Sequence, residues 1–391
     1  RIESDFELMD FFAEPVTPGY NKNQIREYGL TEWRDLFTPR QLVVHYELFE
    51  VVDEITEEIF DKYRDKKAKL LISLLAQAID RQVQYNNRLT TWRSDHGSVA
   101  EIFSSQSYDI KRMFGDANIV NSRKGLERNF DHVIENHSDL ANCISEDLGE
   151  AEIYSSDAAR LNKYIDDNNI EVAIVDPPYF DSIMYGEMSD FMYLTQGDIL
   201  SDVFPELMNK SNTNQMVANS VRHDNPRDFY ESMVQSMFNQ LKSILVENGI
   251  VTLMFTDREV KAWNTILKAL IESNFTITAA HPIKTEASDK VGMDDAARVE
   301  SSIFVTARNT PNTTESTDWQ SVEREVKYIA AEEARRLMSI ENVDKIDASI
   351  EAFGAALEAY SDAYPVEDKY GETVYPGQVL TVVRNEVYSI I

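Results

Sequence analysis

The sequence predicts an α/β protein: a mostly helical lobe, then half of a doubly wound sheet ending in an antiparallel hairpin, then a charged helical extension. Three observations point there. Apolar residues recur at helical spacing through residues 39–90. From Glu171 onward, short β-branched runs alternate with amphipathic stretches. The last two strand-like runs follow one another with no helical pattern between them.

The first forty residues are loop-rich and close with "YGLTEWRDLFTPRQL". There Thr38 can cap a helix whose first position is Pro39, where a missing N–H costs nothing. Leu42, Tyr46 and Phe49, then Leu70, Leu74 and Ala78, step by three or four and continue the helical reading to about residue 90. Between 92 and 150 turn residues surround short apolar pieces, which suggests an irregular stretch. "EVAIV" then reads as a buried parallel strand, and Asp228–Val246 as an amphipathic helix closed by "ENG". "GIVTLMFT" reads as a strand, "REVKAWNTILKALIESN" as a helix, and "FTITAAH" and "SSIFVTAR" as two further strands. From about 316 to 362 the text is charged and helical, most clearly at "EREVKYIAAEEARRLMSI". The expected domains are a mostly helical lobe at 1–150, a sheet domain at 151–310 and the extension at 311–391.

At 391 residues and 43% hydrophobic content the chain can bury substantial cores. Its 38 lysines and arginines face 68 acids, a net charge of -30, so it repels nucleic acid at long range unless it keeps a local basic face. A cell interior near molar salt reconciles such a surface with stability, because the Debye length there is about 3 Å; a halophilic source is the expectation. The single cysteine, Cys143, excludes a disulfide framework and a four-thiolate zinc site, so no metal is expected and the location is expected to be cytoplasmic. No apolar run approaches the ~20 residues of a membrane span, and no signal-peptide pattern opens the sequence. The sequence starts at Arg1 rather than methionine and reads as a fragment.

The chemistry concentrates in "VDPPYFDSIMYGEMSD", residues 175–190. In open α/β sheets ligands bind beyond the carboxyl ends of the strands, which is where Asp176 falls. Two prolines fix φ and hold the following residues extended, so backbone carbonyls and the Tyr179 ring keep one orientation. An acid, a fixed carbonyl and an aromatic face suit a planar amine. The lone pair of an exocyclic amine is conjugated into its ring, which makes it a poor nucleophile. A carboxylate accepting one N–H and a proline carbonyl accepting the other favour a pyramidal nitrogen, with Tyr179 stacked on the base. A methyl sulfonium in line then needs only positioning.

"DPPY" at Asp176–Tyr179 resembles the catalytic motif of S-adenosylmethionine-dependent amino-methyltransferases, chiefly adenine-N6 DNA methylases. The longer "DPPYFDSIMYGEMSDFMYL" is similar to large prokaryotic adenine-specific DNA methylases that carry a domain of unknown function and often a zinc ribbon. "YGLTEWRDLFTPRQL", "ENGIVTLMFTDREVKAWNTILKAL" and "GAALEAYSDAYPVEDKYGETV" agree, so the resemblance runs from about Tyr28 to Val379. It implies a Rossmann-like methyltransferase sheet, S-adenosylmethionine as cofactor, DNA as partner, and methyl transfer to the amine of a flipped adenine. Asp176 and Pro177 would hold the amine, Pro178 would complete the rigid motif, and Tyr179 would stack on the base. Asp157, in "SSDAARL", matches an acidic position near the cofactor's adenine.

Two family features are missing: the glycine-rich cofactor turn, not found among the 13 glycines, and the zinc ribbon. The resemblance places that turn N-terminal to these residues. A missing N-terminal segment or a partner chain would supply it, and the chain alone need not methylate anything. Methylation of RNA guanine or adenine, and a non-catalytic nucleic-acid-binding half of a split enzyme, stand as alternatives. Arg81, Arg88 and Arg93 around "NNRLTTWR", with Trp92 to stack, are candidates to grip a phosphate backbone. On so acidic a chain a salt-bridged face is the competing reading. Asp157 is equally a helix cap, and His281 and Trp263 read as structural.

Overall fold

The computed structural model describes residues 10–120, 123–144, 149–154, 156–178, 180, 183–201, 203–205, 215–255, 260–284, 301–311, 315–340 and 345–390. The chain forms two compact units, residues 1–152 with 183–215, and residues 153–182 with 216–391. The three consecutive spans read from the sequence divide it differently.

The first unit contains α1 (Lys22–Glu27), α2 (Pro39–Lys62), α3 (Asp65–Tyr85), β1 (Thr91–Arg93), β2 (Ser98–Ala100), α4 (Leu126–Cys143) and α5 (Tyr185–Leu200). Thr38 caps α2: its hydroxyl accepts from the Gln41 N–H at 3.3 Å, and the Gln41 side chain accepts from the Thr38 N–H at 2.9 Å. The stretch expected to be irregular holds more order than its pattern showed. Strands β1 and β2 form a hairpin pairing Trp92 with Val99, and Gly97 turns between them at φ +58°. Helix α4 follows, with Asn129 and Val133 its buried residues. The core centres on Phe191, fully buried, with the rings of Trp33, Phe37 and Phe103 at 6.2, 6.0 and 5.9 Å.

Glu187, in the first turn of α5, is also fully buried. Its carboxylate accepts from the backbone N–H groups of Tyr20 and Asn21 at 2.8 Å and of Lys22 at 3.2 Å, where α1 begins. An anion at a helix start satisfies donors that the helix itself leaves open. Gly19 is required by this approach, since a Cβ there would lie 2.6 Å from the Glu187 carboxyl carbon. Lys22 Nζ pairs with Asp190 one turn along α5, and the Tyr108 hydroxyl donates to the Glu187 carbonyl.

The second unit contains β3 (Ile170–Val175), α6 (Pro226–Ile244), β4 (Leu245–Phe255), α7 (Val260–Glu272), β5 (Phe275–Lys284), β6 (Ser301–Asn309), α8 (Trp319–Met338), α9 (Lys345–Asp362) and α10 (Pro376–Tyr388). Four strands form one sheet in the order β3-β4-β6-β5; β3 and β4 run parallel, and β6 is antiparallel to both β4 and β5. Strand β4 starts before "ENG" rather than after it. Asn248 takes φ +61°, and the register slips there, so that Ile170 opposes Leu245 while Val172 opposes Ile250. Val251, Leu253, Phe255, Val305 and Ala307 alternate onto the buried face, in one cluster with Phe238 of α6 and Leu267 and Leu270 of α7. Helices α8, α9 and α10 of the expected extension contribute residues to this same core.

The two sheet edges differ. Helix α9 covers the outer edge of β5: Ser361 Oγ accepts from the Ile277 N–H at 2.9 Å, and a Cβ on Gly354 would lie 2.5 Å from that of Ala280. No described strand pairs with the outer edge of β3, where Val172 and Ile174 are 54% and 78% exposed. No helix among the described residues is long and apolar enough to cross a membrane.

The buried polar groups of the first unit can be tested one at a time. Replacing Glu187 by alanine leaves three backbone donors without their acceptor and should destabilise the protein by roughly 3 kcal/mol, read by denaturant unfolding. A second test concerns pH. Burial pushes the Asp80 carboxyl up to about 6 despite hydrogen bonds from Gln196 and Gln84, while burial pulls His45 down to about 4 despite its contact with the Asn86 carbonyl. The unfolded Asp80, with an ordinary value of 3.8, ionises before the folded one, so stability falls as pH rises from about 4 to 6. The unfolded His45, at 6.5, takes its proton before the folded one, so stability falls as pH drops from 6.5 to about 4. The two slopes oppose one another over the shared window. Asp80→Asn leaves His45 unopposed, and stability should then drop by roughly 3 kcal/mol between pH 6.5 and 4, a fall that thermal melts across that range would show as a pH-dependent Tm.

Candidate active site at the end of strand β3

Parallel pairing sets Val175 opposite Leu253, so β3 and β4 present their carboxyl ends on the same side of the sheet. Asp176 is the next residue and is exposed, while Pro177 behind it is buried. Partial burial holds the Asp176 carboxyl above the ordinary aspartate value. The described residues give that carboxylate no hydrogen bond or ion pair.

The loop after it is fastened at two points. The Tyr230 hydroxyl, on α6, donates to the Pro178 carbonyl at 3.0 Å, and the Ala218 N–H donates to the Phe180 carbonyl at 2.9 Å. The Phe180 ring meets that of Tyr230 edge-on, centroids 5.6 Å apart and planes at 81°. Both fastenings lie beside Tyr179, which itself is outside the described residues. Among the described residues, Tyr230 donates to the Pro178 carbonyl and none donates to the Asp176 carboxylate or to the Pro177 carbonyl. Two acceptors on one rigid corner match the two N–H bonds of a primary amine on a planar ring.

Tyr230 was not legible as part of this site. It stands 52 residues from Pro178 and reads in sequence as one more apolar position on a helix. The turn that leads into α6 was equally silent. There Asn219 is buried, its side-chain oxygen accepting from the N–H groups of Val221 and Arg222 at 3.0 and 3.1 Å, and His223 stacks on Phe229 at 3.8 Å.

The other sequence candidates do not gather at this corner. Asp157 caps the short 3₁₀ turn Ala158–Lys163, accepting from the Ala159 N–H at 2.9 Å, with a second oxygen 3.6 Å from Arg160 Nε. Its oxygens are thus engaged locally. The described glycines with positive φ are Gly29, Gly97 and Gly371, none of which follows a strand of the four-stranded sheet. Arg88 donates to the Asp35 carbonyl at 2.7 Å and serves as an internal tie. Arg81 reaches the Tyr85 hydroxyl at 3.5 Å, Arg93 pairs with Asp95 at 2.9 Å, and Trp92 is 58% exposed. Trp263 packs edge-on against Phe255 at 4.8 Å, and His281 sits exposed on β5.

No protein-family model matches the sequence, and no curated protein matches it. Among solved structures the chain is similar to TTHA0409 of Thermus thermophilus, provisionally assigned as a DNA modification methylase, at 11% identity and a TM-score of 0.24, covering 59% of this chain and 93% of that one. A crystal of the same protein complexed with S-adenosyl-L-methionine gives 12% identity and the same TM-score and coverage. Likeness at that level assigns neither fold nor function.

Tyr230→Phe tests the fastening of the loop. It removes the donor to the Pro178 carbonyl while keeping the ring, and should cost about 1 kcal/mol in unfolding free energy. Faster hydrogen exchange should be confined to residues 176–180 and the start of α6.

Proposed function

We propose that this chain forms the amine-binding part of a DNA adenine-N6 methyltransferase. The observation that supports it most directly is the pair of acceptors, Asp176 carboxylate and Pro177 carbonyl, on a fastened loop at the carboxyl end of a parallel strand. In this reading the exocyclic amine of a flipped adenine donates one N–H to each acceptor. The nitrogen becomes more pyramidal and its lone pair is exposed. As the N–C bond forms, the bond between the methyl carbon and the donor's sulfonium sulfur would break, its electron pair leaving on sulfur as a neutral thioether, and the extra proton on nitrogen would pass to the Asp176 carboxylate as general base. Tyr179 stacks on the base and fixes its plane. S-adenosylmethionine is the proposed methyl source, and a further segment or a partner chain is proposed to hold it. The outer edge of β3, with which no described strand pairs and where Val172 and Ile174 are exposed, supports that part of the proposal.

The test is transfer of radiolabelled methyl from S-adenosylmethionine to duplex DNA in high salt, measured on the full-length gene product, followed by nucleoside analysis. Label on N6 of adenine is the expected result; label appearing in RNA in preference to DNA would overturn the substrate assignment. Asp176→Ala should abolish transfer without changing the unfolding free energy by more than about 1 kcal/mol. Because the Asp176 carboxyl titrates above the ordinary aspartate value, the acid limb of the rate profile should lie above pH ~4, with activity lost as pH falls through it. Tyr179→Ala should slow transfer by an amount equivalent to roughly 1–3 kcal/mol of lost stacking, as expected for one base on one ring.

A further inference from the structure

A groove of about 850 Å³ opens in the first unit, between the β1–β2 hairpin and the start of α4. Its charged lining departs from the composition of the chain. Arg93, Arg123, Lys124 and Arg128 face it, with His96, against the carboxylates Glu101, Glu127 and Asp131. Across the whole sequence 68 acids oppose 38 bases, whereas four cations face three carboxylates in this lining, a local balance that departs from that of the chain.

The cations stand on both walls. Arg93 belongs to the hairpin and is 52% exposed; Arg128 belongs to α4 and is 45% exposed. Arg123 donates to the His96 carbonyl at 3.1 Å, linking the two walls at one end. Lys124 Nζ lies 4.5 Å from the centre of the Tyr85 ring and 3.2 Å from its hydroxyl, a cation held over an aromatic floor. Helix α4 opens at Gly125, which offers no side-chain cap, so the helix start adds its own positive end to the same wall. The ion pairs that these arginines make, to Asp95, Asp131 and Glu135, are all exposed and exchange readily for other anions. An open groove with cations on both sides suits a run of phosphates rather than a single small anion.

We infer that this groove takes one phosphodiester strand of duplex DNA, with Arg93, Arg123, Lys124 and Arg128 contacting its phosphates. The inference rests on the reading that the protein acts on DNA, and it moves the backbone contacts from Arg81 and Arg88, which have internal partners, to the wall formed by α4. These contacts position the duplex and carry no sequence information.

The experiment measures fluorescence anisotropy of a labelled duplex of about 20 base pairs as it binds the protein without cofactor, over a series of salt concentrations at which circular dichroism shows each variant folded. The groove variant is Arg123→Glu with Arg128→Glu. Its charge-matched control is Arg335→Glu with Arg336→Glu, exposed on the last turn of α8. The groove variant should lose at least about tenfold in affinity and about two from the slope of log affinity against log salt, while the control keeps both near wild type. Equal losses in both variants, no loss in either, or no binding by wild type would overturn the inference. So would tighter binding of duplex RNA of the same sequence. If the groove variant loses DNA while the full-length wild type transfers no methyl, the groove stands and the amine-methylation reading falls.

Discussion

The parallel pairing of β3 with β4 is the constraint from which the rest of the site follows. Antiparallel neighbours can be joined by a two-residue turn, but parallel ones require a crossover that returns the chain to its starting side. Here the crossover runs from Val175 to Leu245 and carries two helices, α5 and α6. Its first residues form the Asp176 corner. Its last helix brings Tyr230 back to the Pro178 carbonyl, so the segment that leaves the strand is fastened by the segment that returns to the next one. The same parallel register places Asp176 just beyond the carboxyl end of β3, the end at which open α/β sheets bind ligands, with Pro177 buried behind it.

The first unit is held differently. Its core is crossed by polar groups: Gln41, His45, Asp80, Gln82, Asn86, Asn87, Thr90, Asn129 and Glu187 are all buried. Several of them tie one element to another. Gln82 accepts from Asn129 at 3.3 Å between α3 and α4, Gln196 donates to Asp80 at 3.3 Å between α5 and α3, and His45 Nε2 lies 2.9 Å from the Asn86 carbonyl. Such a network fixes which helix faces which more sharply than apolar contact does, because a slipped register leaves buried dipoles unpaired. The helices α2, α3 and α5 thereby acquire defined neighbours despite modest apolar stripes.

Much of this fold was legible because local rules and tertiary structure agreed. Thr38 and Pro39 start α2 as their chemistry requires, and "EVAIV" forms a parallel strand as its β-branched run suggests, but not a buried one: as the edge strand of the sheet it leaves Val172 and Ile174 54% and 78% exposed. Helix α4 carries apolar residues at helical spacing, Leu126, Phe130, Val133 and Ile134 among them, so this one was missed although its periodicity is present in the sequence. The other misses share one cause, dependence on partners distant in sequence. Strand β4 begins within α6's apparent tail because pairing with Ile170, not propensity, sets its first residue. Glu187 resembles any helical acid until the N–H groups of residues 20–22 arrive. Arg88 looked free for phosphate because nothing nearby in sequence announced the Asp35 carbonyl. Of the candidate site, Asp176 and its prolines were readable, whereas the groups that fasten them were not.

The chain enters the second unit near residue 153, returns to the first for residues 183–215, and re-enters the second at 216. No contiguous stretch of gene therefore encodes either unit whole. A truncation that ends before residue 183 deprives the first unit of α5, and with it Phe191 and Glu187, the hub of its aromatic cluster and the anion at the start of α1. Splitting the units cleanly takes three cuts and a join within each unit rather than one boundary. In inheritance, too, the pair travels together: recombination at any single point yields hybrids in which at least one core is assembled from two parents.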